Sequence, residues 1–213
     1  REETGHSLKS SLVHDVTVDF LDNLAIPNKG VRFHVRQELA GLTGGDVGYF
    51  KSLAHFSVYL PTFDKVVLGV DAKAGLLAPF RSRSRVNVTD RFSLGGCASA
   101  RGFRKRGVGP DVSGYNAFWS LTGSITFPLP YLSRSRNNYV IENCRGQLFC
   151  DIGSVGNPKS DRFPRVFSEP WARDFRISVG TGIVLKLGEA ATAQLNFSLP
   201  IKSYAGDRIC NGM

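Results

Sequence analysis

Three observations predict that the chain is all-β and forms an antiparallel transmembrane β-barrel. Apolar and polar residues alternate with a period of two over about eight segments, rather than with the helical period of 3.6. These segments run to about 11 residues, the length that a tilted strand needs to cross a membrane, whereas strands of globular proteins average about 5–6. Their polar face carries Lys, Arg, Asp, Glu and His, which suits a wet lumen better than a packed interior.

The predicted strands follow one another along the chain with little helix between them. They span residues 7–21, 31–39, 49–60, 65–77, 115–127, 146–155, 175–187 and 192–199. In the second segment, for example, Phe33 and Val35 alternate with His34 and Arg36. In the first segment the apolar set is interrupted by Ser10 and His14.

The connections between these segments differ in length in the way expected of a membrane barrel. Residues 61–64 and 187–191 form tight turns, whereas 79–114 and 156–174 are long, as in barrels with short turns on one side and long loops on the other. Residues 129–145 do not fit, since a short turn is expected there. An eight-stranded barrel would be filled by its own side chains. Residues 1–213 are therefore expected to be part of one larger barrel domain that has room for a long loop.

The composition limits the classes of partner. The formal net charge is +9, but the basic residues lie largely at alternate positions in the strands rather than in one patch. Two short basic runs, 81–85 and 104–106, lack the interleaved aromatic residues that single-stranded nucleic acid requires. No apolar run approaches the ~20 residues of a membrane-spanning helix. We expect no nucleic-acid partner, although a soluble basic β-sandwich that binds nucleic acid remains an alternative.

The sequence offers no pattern of an enzyme. The cysteines at 97, 144, 150 and 210 form no Cys-x-x-Cys pair and are expected to be free thiols. The histidines at 6, 14, 34 and 55 have no spacing with an acid that would build a catalytic triad or a metal site. The pair Gly180-x-Gly182 lies inside a predicted strand and lacks the helix of a phosphate-binding loop. No catalytic residue, metal or cofactor is expected.

The long connection 79–114 contains the most specific motif of the chain. It has a glycine pair and then an Arg-Gly-Phe tip, and loops of this length are usually functional or disordered. The motif consists of Arg91, Phe92, Leu94, Gly95, Gly96, Ser99, Arg101, Gly102 and Phe103. It resembles the signature of the lumenal loop of the BamA superfamily, the outer-membrane β-barrel insertases. In that pattern Val or Ile usually precedes the tip, where this chain has Ala100, which is expected to weaken packing of the tip but not its charge chemistry.

Four further stretches resemble the mitochondrial branch of that superfamily, the channel subunits of the sorting and assembly machinery (SAM). They are residues 5–12, 37–47, 182–188 and 206–210. The resemblance covers essentially the whole chain. It implies a barrel of about sixteen strands, of which this chain supplies roughly the carboxy-terminal half, with the long loop folded into the lumen. The amino-terminal soluble domain, the first strands and the last strand of the family are then expected to lie outside this sequence.

The resemblance also implies a partner for the loop arginine. The stretch Phe149-Cys-Asp-Ile-Gly153 is similar to the Phe-x-Asp-x-Gly strand motif of the family, whose aspartate pairs with the loop arginine. Asp151 is therefore the expected partner of Arg101, and strand alternation places Phe149 and Asp151 on one face. Gly102 is expected to allow a close backbone approach, Phe103 to pack as an apolar plug, and Gly95 and Gly96 to form a turn.

The family implies a function without covalent chemistry. The expected activity is the insertion and assembly of β-barrel precursor proteins in the mitochondrial outer membrane, as a multi-pass barrel. The expected partners are β-barrel precursors, metaxin-type SAM subunits and membrane lipids. A passive, anion-favouring outer-membrane pore remains as the alternative, since basic residues that line a lumen would suffice for it.

Overall fold

A computed structural model describes residues 8–42, 44–45, 47–80, 86–129, 144–158, 169–187 and 191–210. Eight antiparallel strands form one sheet, and each strand pairs with its neighbours in the chain. The strands are β1 Ser11–Asp19, β2 Gly30–Ala40, β3 Tyr49–Pro61, β4 Val67–Pro79, β5 Ala117–Pro128, β6 Cys144–Gly156, β7 Arg176–Leu187 and β8 Ala191–Lys202. A 3₁₀ turn at Phe63–Lys65 and a helix α1 at Pro170–Arg173 complete the described elements. None of the described helices is long and apolar enough to cross a membrane.

The predicted all-β fold class is confirmed, and most strand bounds agree within a few residues. The first strand is shorter than predicted, since it runs from Ser11 to Asp19. Lys65 was predicted to start a strand, but it lies in the 3₁₀ turn with a φ of 66°. That turn is closed by hydrogen bonds from Thr62 N to Val66 O and from Val66 N to Phe63 O, so the chain reverses before β4 begins. Most of the segment 129–145 and the turn 187–191 lies outside the described residues.

The two faces of the sheet differ in chemistry. Paired residues share a face, and the register aligns His34 with His55 and Thr122 with Asp151 on the polar face. The opposite face carries a belt of exposed large apolar side chains. It includes Leu12, Val16, Val18, Val31, Phe33, Phe56, Leu60, Leu68, Val70, Leu121, Ile125, Leu148, Ile183, Leu195, Phe197 and Leu199. The molecule is thus polar inside and apolar outside, as a transmembrane barrel requires.

The sheet is not closed. Among the described residues, β1 and β8 each pair on one side only. The β-sandwich alternative is wrong, because a sandwich packs the apolar faces of two sheets together, whereas here a single sheet presents its apolar face outward.

The main cluster of buried apolar residues lies between the inner face of the sheet and the loop between β4 and β5. Leu94, Phe103 and Val108 of the loop pack with wall residues that include Tyr49 and Leu77. This cluster is the hydrophobic core of the described residues, so the loop is packed into the fold and is not an exposed surface loop.

At the opposite end of the lumen, the connection between β1 and β2 also folds inward. Asp22 accepts hydrogen bonds from the backbone N–H groups of Asn28 and Lys29, at 2.9 and 3.1 Å. Arg145, at the start of β6, donates from Nη1 to Asn28 Oδ1 at 2.6 Å. Ile26 is buried, and together with Arg101 of the loop it lines a cavity of about 470 Å³ between the two inserted segments.

Candidate functional site

The loop between β4 and β5 is closed at its root by a short antiparallel bridge. Phe92 and Tyr115 exchange two backbone hydrogen bonds of 2.8 Å each. The ring of Phe92 packs against Phe118 of β5 at a centroid distance of 4.8 Å, and Lys51 Nζ lies 4.8 Å from the centroid of Phe92. Phe92 therefore seats the loop root against β3 and β5.

Gly95 and Gly96 form the turn that leads into the loop tip. Both have positive φ angles, 113° and 101°, which glycine adopts without strain. Gly96 N donates to Phe103 O at 3.0 Å, and Gly95 N donates to Ser99 Oγ at 3.0 Å. These bonds fold the tip back on itself, so that Arg101 projects towards the wall.

Arg101 forms a bidentate pair with Asp151 of β6. Arg101 Nε donates to Oδ2 and Nη2 donates to Oδ1, both at 2.8 Å. The backbone N–H of Arg101 also donates to Oδ2 at 3.0 Å, and Thr122 Oγ1 donates to Oδ1 at 2.9 Å. The carboxylate of Asp151 thus accepts four hydrogen bonds, which fix both the position and the orientation of the loop tip.

The pair lies in a dry environment. The side chains of Arg101 and Asp151 are only 10% and 1% exposed. The guanidinium carbon of Arg101 lies 3.4 Å from the ring centroid of Phe149, so the ring covers one face of the cation. Removing either partner would leave an uncompensated buried charge, which costs about 3–5 kcal/mol. The pair is therefore a strong constraint on where the loop can be.

The glycines of the two motifs allow close approach. Gly102 has a φ of 93°, and an added Cβ would lie 3.3 Å from Pro200 N and 3.4 Å from Ser178 Cβ. At Gly153 an added Cβ would lie 2.8 Å from Leu94 Cδ2 and 2.9 Å from Trp119 O. Phe103 is 1% exposed and bridges to Ile209. These residues bring the tip into van der Waals contact with β6, β7 and β8.

Of the candidate site residues, the structure thus brings together all but Arg91. The root holds Phe92, and the tip and the wall hold Gly95, Gly96, Arg101, Gly102, Phe103, Phe149, Asp151 and Gly153. Arg91 lies apart from this group, and its charge influences the exposed acid Asp111 of the same loop. Hydrogen bonds from Ser113, aided by the charge of Arg91, hold the pKa of the Asp111 carboxyl below its usual value. Arg91 is half-buried, and its charge acts within the loop on Asp111.

A second ion-pair cluster, not found from the sequence, anchors the loop root. Lys9 Nζ lies 2.7 Å from both Glu38 Oε1 and Asp90 Oδ1, and Lys51 Nζ donates to Asp90 O at 2.6 Å. Burial alone would lower the pKa of Lys9, but its hydrogen bonds to Asp90 and Glu38 outweigh burial and raise that pKa. Asp90 is 81 residues from Lys9, so no local pattern could have indicated the pair.

A third ion pair involves the segment that follows β8. Arg176 donates from Nε to Asp207 Oδ2 at 3.1 Å and from Nη2 to Oδ1 at 3.2 Å. Their side chains are 8% and 0% exposed. The stretch 206–210 carried the resemblance in the sequence, but its contact with the loop was not predicted.

Neither a metal site nor a Ser-His-Asp triad is formed by the described residues. No group of three or more His, Cys, Asp or Glu side chains among them is placed to hold a metal ion. Ser57, His55 and Asp71 lie together, but Ser57 Oγ donates to Asp71 Oδ1 at 2.6 Å. The same His55 nitrogen, Nε2, faces both Ser57 and Asp71, at 3.0 and 3.4 Å. A catalytic triad needs the two ring nitrogens to serve different partners, so this cluster is a lumenal hydrogen-bond network.

An antiparallel wall with an apolar outer face and a loop pinned to its inner face by a buried ion pair defines a transmembrane β-barrel with a lumen-docked loop. Comparison with known proteins agrees. The sequence matches the family model for the Omp85 superfamily domain over residues 1–213, and the chain belongs to that superfamily, which is the one that the loop motif predicts.

Among its relatives are proteins named sorting and assembly machinery component 50 homolog. Those of Mus musculus and Homo sapiens are 36% and 35% identical over 217 residues, which cover 100% of this chain and 46% of each relative. The chain therefore spans about half the length of these relatives. A crystal structure of BamA from Haemophilus ducreyi lacking POTRA domains 1–3 is similar in fold. Its TM-score is 0.77 at 23% identity, over 93% of this chain and 40% of that one.

Proposed function

We propose that the chain is the carboxy-terminal part of a barrel that inserts and assembles β-barrel precursor proteins in the mitochondrial outer membrane. The names of its relatives, which describe a sorting and assembly machinery, support this function. The observation that carries it is the loop docked by Arg101 and Asp151. A loop held so firmly inside a barrel lumen fixes the shape of the wall beside the open edges of the sheet.

The mechanism proposed is strand addition at a sheet edge. An edge strand presents a row of backbone donors and acceptors that can pair with an incoming strand of any sequence. In this mechanism the first and last strands of the complete barrel would form the seam, whereas Arg101 and Asp151 lie in the loop and in β6. Arg101 and Asp151 are therefore assigned as positioning residues that hold the loop and the wall, with Phe92, Gly95, Gly96, Gly102, Phe103, Phe149 and Gly153 supporting them.

The proposed partners follow from the same assignment. They are β-barrel precursors, metaxin-type SAM subunits and, along the apolar belt, membrane lipids; nucleic acid is not among them. The proposed role needs no enzyme chemistry. A passive anion-favouring pore is not favoured, because the relatives are named as components of a sorting and assembly machinery.

The function is tested in mitochondria depleted of the full-length protein. Uptake of a labelled β-barrel precursor into a protease-protected, alkali-resistant form should be lost on depletion and restored by resupply. Insertion that continues at a normal rate after depletion would exclude the insertase and leave the pore, for which conductance is the measurement.

The part played by the loop is tested by resupply with Arg101→Ala. We expect insertion to fall by at least tenfold while the variant barrel is present at normal levels. Arg104→Ala is the matched control, since Arg104 lies in the same loop with an exposed side chain. Equal insertion by both variants would exclude the docked loop from the mechanism.

A further inference from the structure

The Asp207 carboxylate is shared among three parts of the chain. It accepts two hydrogen bonds from Arg176 of β7, one from the backbone N–H of Gly109 in the loop at 2.6 Å, and one from the backbone N–H of Tyr204 at 2.7 Å. The Asp151 carboxylate, by contrast, joins the loop only to the wall. Asp207 is therefore the point where the wall, the loop and the chain beyond β8 meet.

Arg176 is held as rigidly as Asp207. Its third nitrogen, Nη1, donates to Asp174 O at 2.8 Å, and its guanidinium carbon lies 4.8 Å from the ring centroid of Tyr204. In the register, Arg176 faces Gly153, and Ser178 faces Asp151. The inner face of the sheet thus presents an acid to the loop arginine and, two register positions further along, a cation to the acid of the segment after β8.

Backbone hydrogen bonds join that segment to the loop tip directly. Arg104 N donates to Arg208 O at 2.9 Å, Arg208 N to Gly107 O at 2.7 Å, and Cys210 N to Gly102 O at 3.0 Å. Gly102 is the residue next to Arg101. Residues 203–210, which follow β8 without a break, therefore lie against the tip as an additional short strand would.

We propose that Arg176 and Asp207 are positioning residues of a latch, residues 203–210, which couples the loop tip to the chain beyond β8. Displacement of that chain removes Asp207 from Gly109 and Arg208 from the tip, so the loop loosens when the edge next to β8 moves. The inference rests on the proposed function, for which it supplies a link between the open edge and the loop.

The coupling is tested by hydrogen–deuterium exchange of the full-length protein in lipid nanodiscs. We expect Arg176→Gln and Asp207→Asn to increase amide exchange in the loop, residues 101–109, by at least fivefold. Conversely, Arg101→Gln should increase exchange in the latch. Residues 22–30, in the inserted turn at the other end of the lumen, should be unchanged in every variant, since general destabilisation would raise exchange there as well.

Two further variants sharpen this test. Arg208→Gln removes an exposed positive charge from the same segment and should leave loop exchange unchanged. Arg176→Lys keeps the charge, loses the bidentate geometry, and should give an intermediate increase even if Arg176→Gln does not fold. Faster exchange in the latch with unchanged exchange in the loop would overturn the coupling, as would equal exchange increases in the loop and in residues 22–30.

The exchange result is independent of the insertion assay. Depletion could abolish precursor insertion while the variants change amide exchange in the loop or in the latch but not in both. The proposed function would then stand, and the coupling by the latch would be excluded. If loop and latch respond together but depletion leaves insertion intact, the latch stands and the insertase fails.

Discussion

At the scale of single residues, the geometry at Arg101 explains why that position needs arginine. The planar guanidinium satisfies both carboxylate oxygens of Asp151 at once and presents a flat face to Phe149. Lysine would offer a single point charge and could not donate two parallel hydrogen bonds to the carboxylate. The specificity of the site thus comes from shape as much as from charge.

Asp151→Asn should release the loop tip. The change keeps the size of the side chain but leaves Arg101 buried without a counter-charge, at a cost of about 3–5 kcal/mol. The exposed basic run 104–106 then becomes a substrate for trypsin, and cleavage there should be at least a hundredfold faster than in the wild type. Trypsin should cleave the Asp111→Asn variant, which changes an exposed acid of the same loop, at the wild-type rate.

Gly153→Ala should displace the loop without touching any charge, because the new methyl group would collide with Leu94 and the carbonyl of Trp119. We expect a loss of precursor insertion and faster cleavage by trypsin at 104–106. Gly123→Ala in β5 is the matched control, since an added Cβ there meets nothing within 4 Å. Equal insertion by the two variants would exclude a role for the close contact at Gly153.

Swapping the acid at position 151 and the arginine at position 101 should restore precursor insertion only in part. Asp151→Arg alone should abolish precursor insertion, and adding Arg101→Asp should recover some of it. Recovery is limited because the Thr122 hydroxyl and the backbone N–H of residue 101 both donate towards position 151. Purely additive defects in the double variant, measured by insertion, would show that the two residues do not act as a pair.

At the scale of elements, the strands were predictable from the residue pattern and the long inserted loop from the family resemblance, but the inward turn between β1 and β2 was not predicted. Period-two alternation depends only on which face each side chain occupies, so it locates strands such as β2 and β3 closely. Alternation carries no information on where a connection folds. The inward turn between β1 and β2 depends on a contact between Asn28 and Arg145, which are 117 residues apart.

That turn depends on Asp22, which holds the backbone N–H groups of Asn28 and Lys29. Partial burial would raise the pKa of Asp22, but these hydrogen bonds outweigh it and lower the pKa, so the acceptor is charged at neutral pH. Asp22→Ala should speed amide exchange in residues 22–30 by about fivefold, the effect of losing about 1 kcal/mol of hydrogen bonding. Exchange in residues 101–109 should not change, and a parallel increase there would contradict independent anchoring of the two inserted segments.

At the scale of the whole molecule, the sheet separates an apolar outer environment from a polar lumen. The same substitution at two neighbouring positions of one strand should therefore destabilise the barrel at one position and be tolerated at the other. Ile125 belongs to the outer apolar belt, whereas Thr126 lines the lumenal cavity. Ile125→Arg should destabilise the membrane-inserted barrel by up to about 2–4 kcal/mol. Thr126→Arg should be tolerated, and urea unfolding in lipid vesicles would distinguish the two. Similar losses would contradict the assignment of the faces.

The candidate site was predictable to the extent that a motif carried it. The pairing of Arg101 with Asp151 followed from the family resemblance together with strand alternation, which put Asp151 on the inner face. The contacts of Arg176 with Asp207 and of Lys9 with Asp90 were missed, because alternation places each residue on a face but does not say which residues meet across the lumen. Such partners are set by the path of the loop, which the sequence pattern does not contain.

The sequential pairing of the strands has a consequence for the order in which this molecule is completed. Each strand of the wall pairs with its neighbour in the chain, so hairpins can add one after another with little entropy lost in closing each link. The loop contacts instead span 50 residues from Arg101 to Asp151 and 98 from Gly109 to Asp207. The loop can therefore complete its docking only after the residues up to Asp207 have been synthesised and placed. We therefore expect the loop of the newly made protein to stay undocked until these strands have formed, so that docking of the loop reports the completion of the eight-stranded sheet.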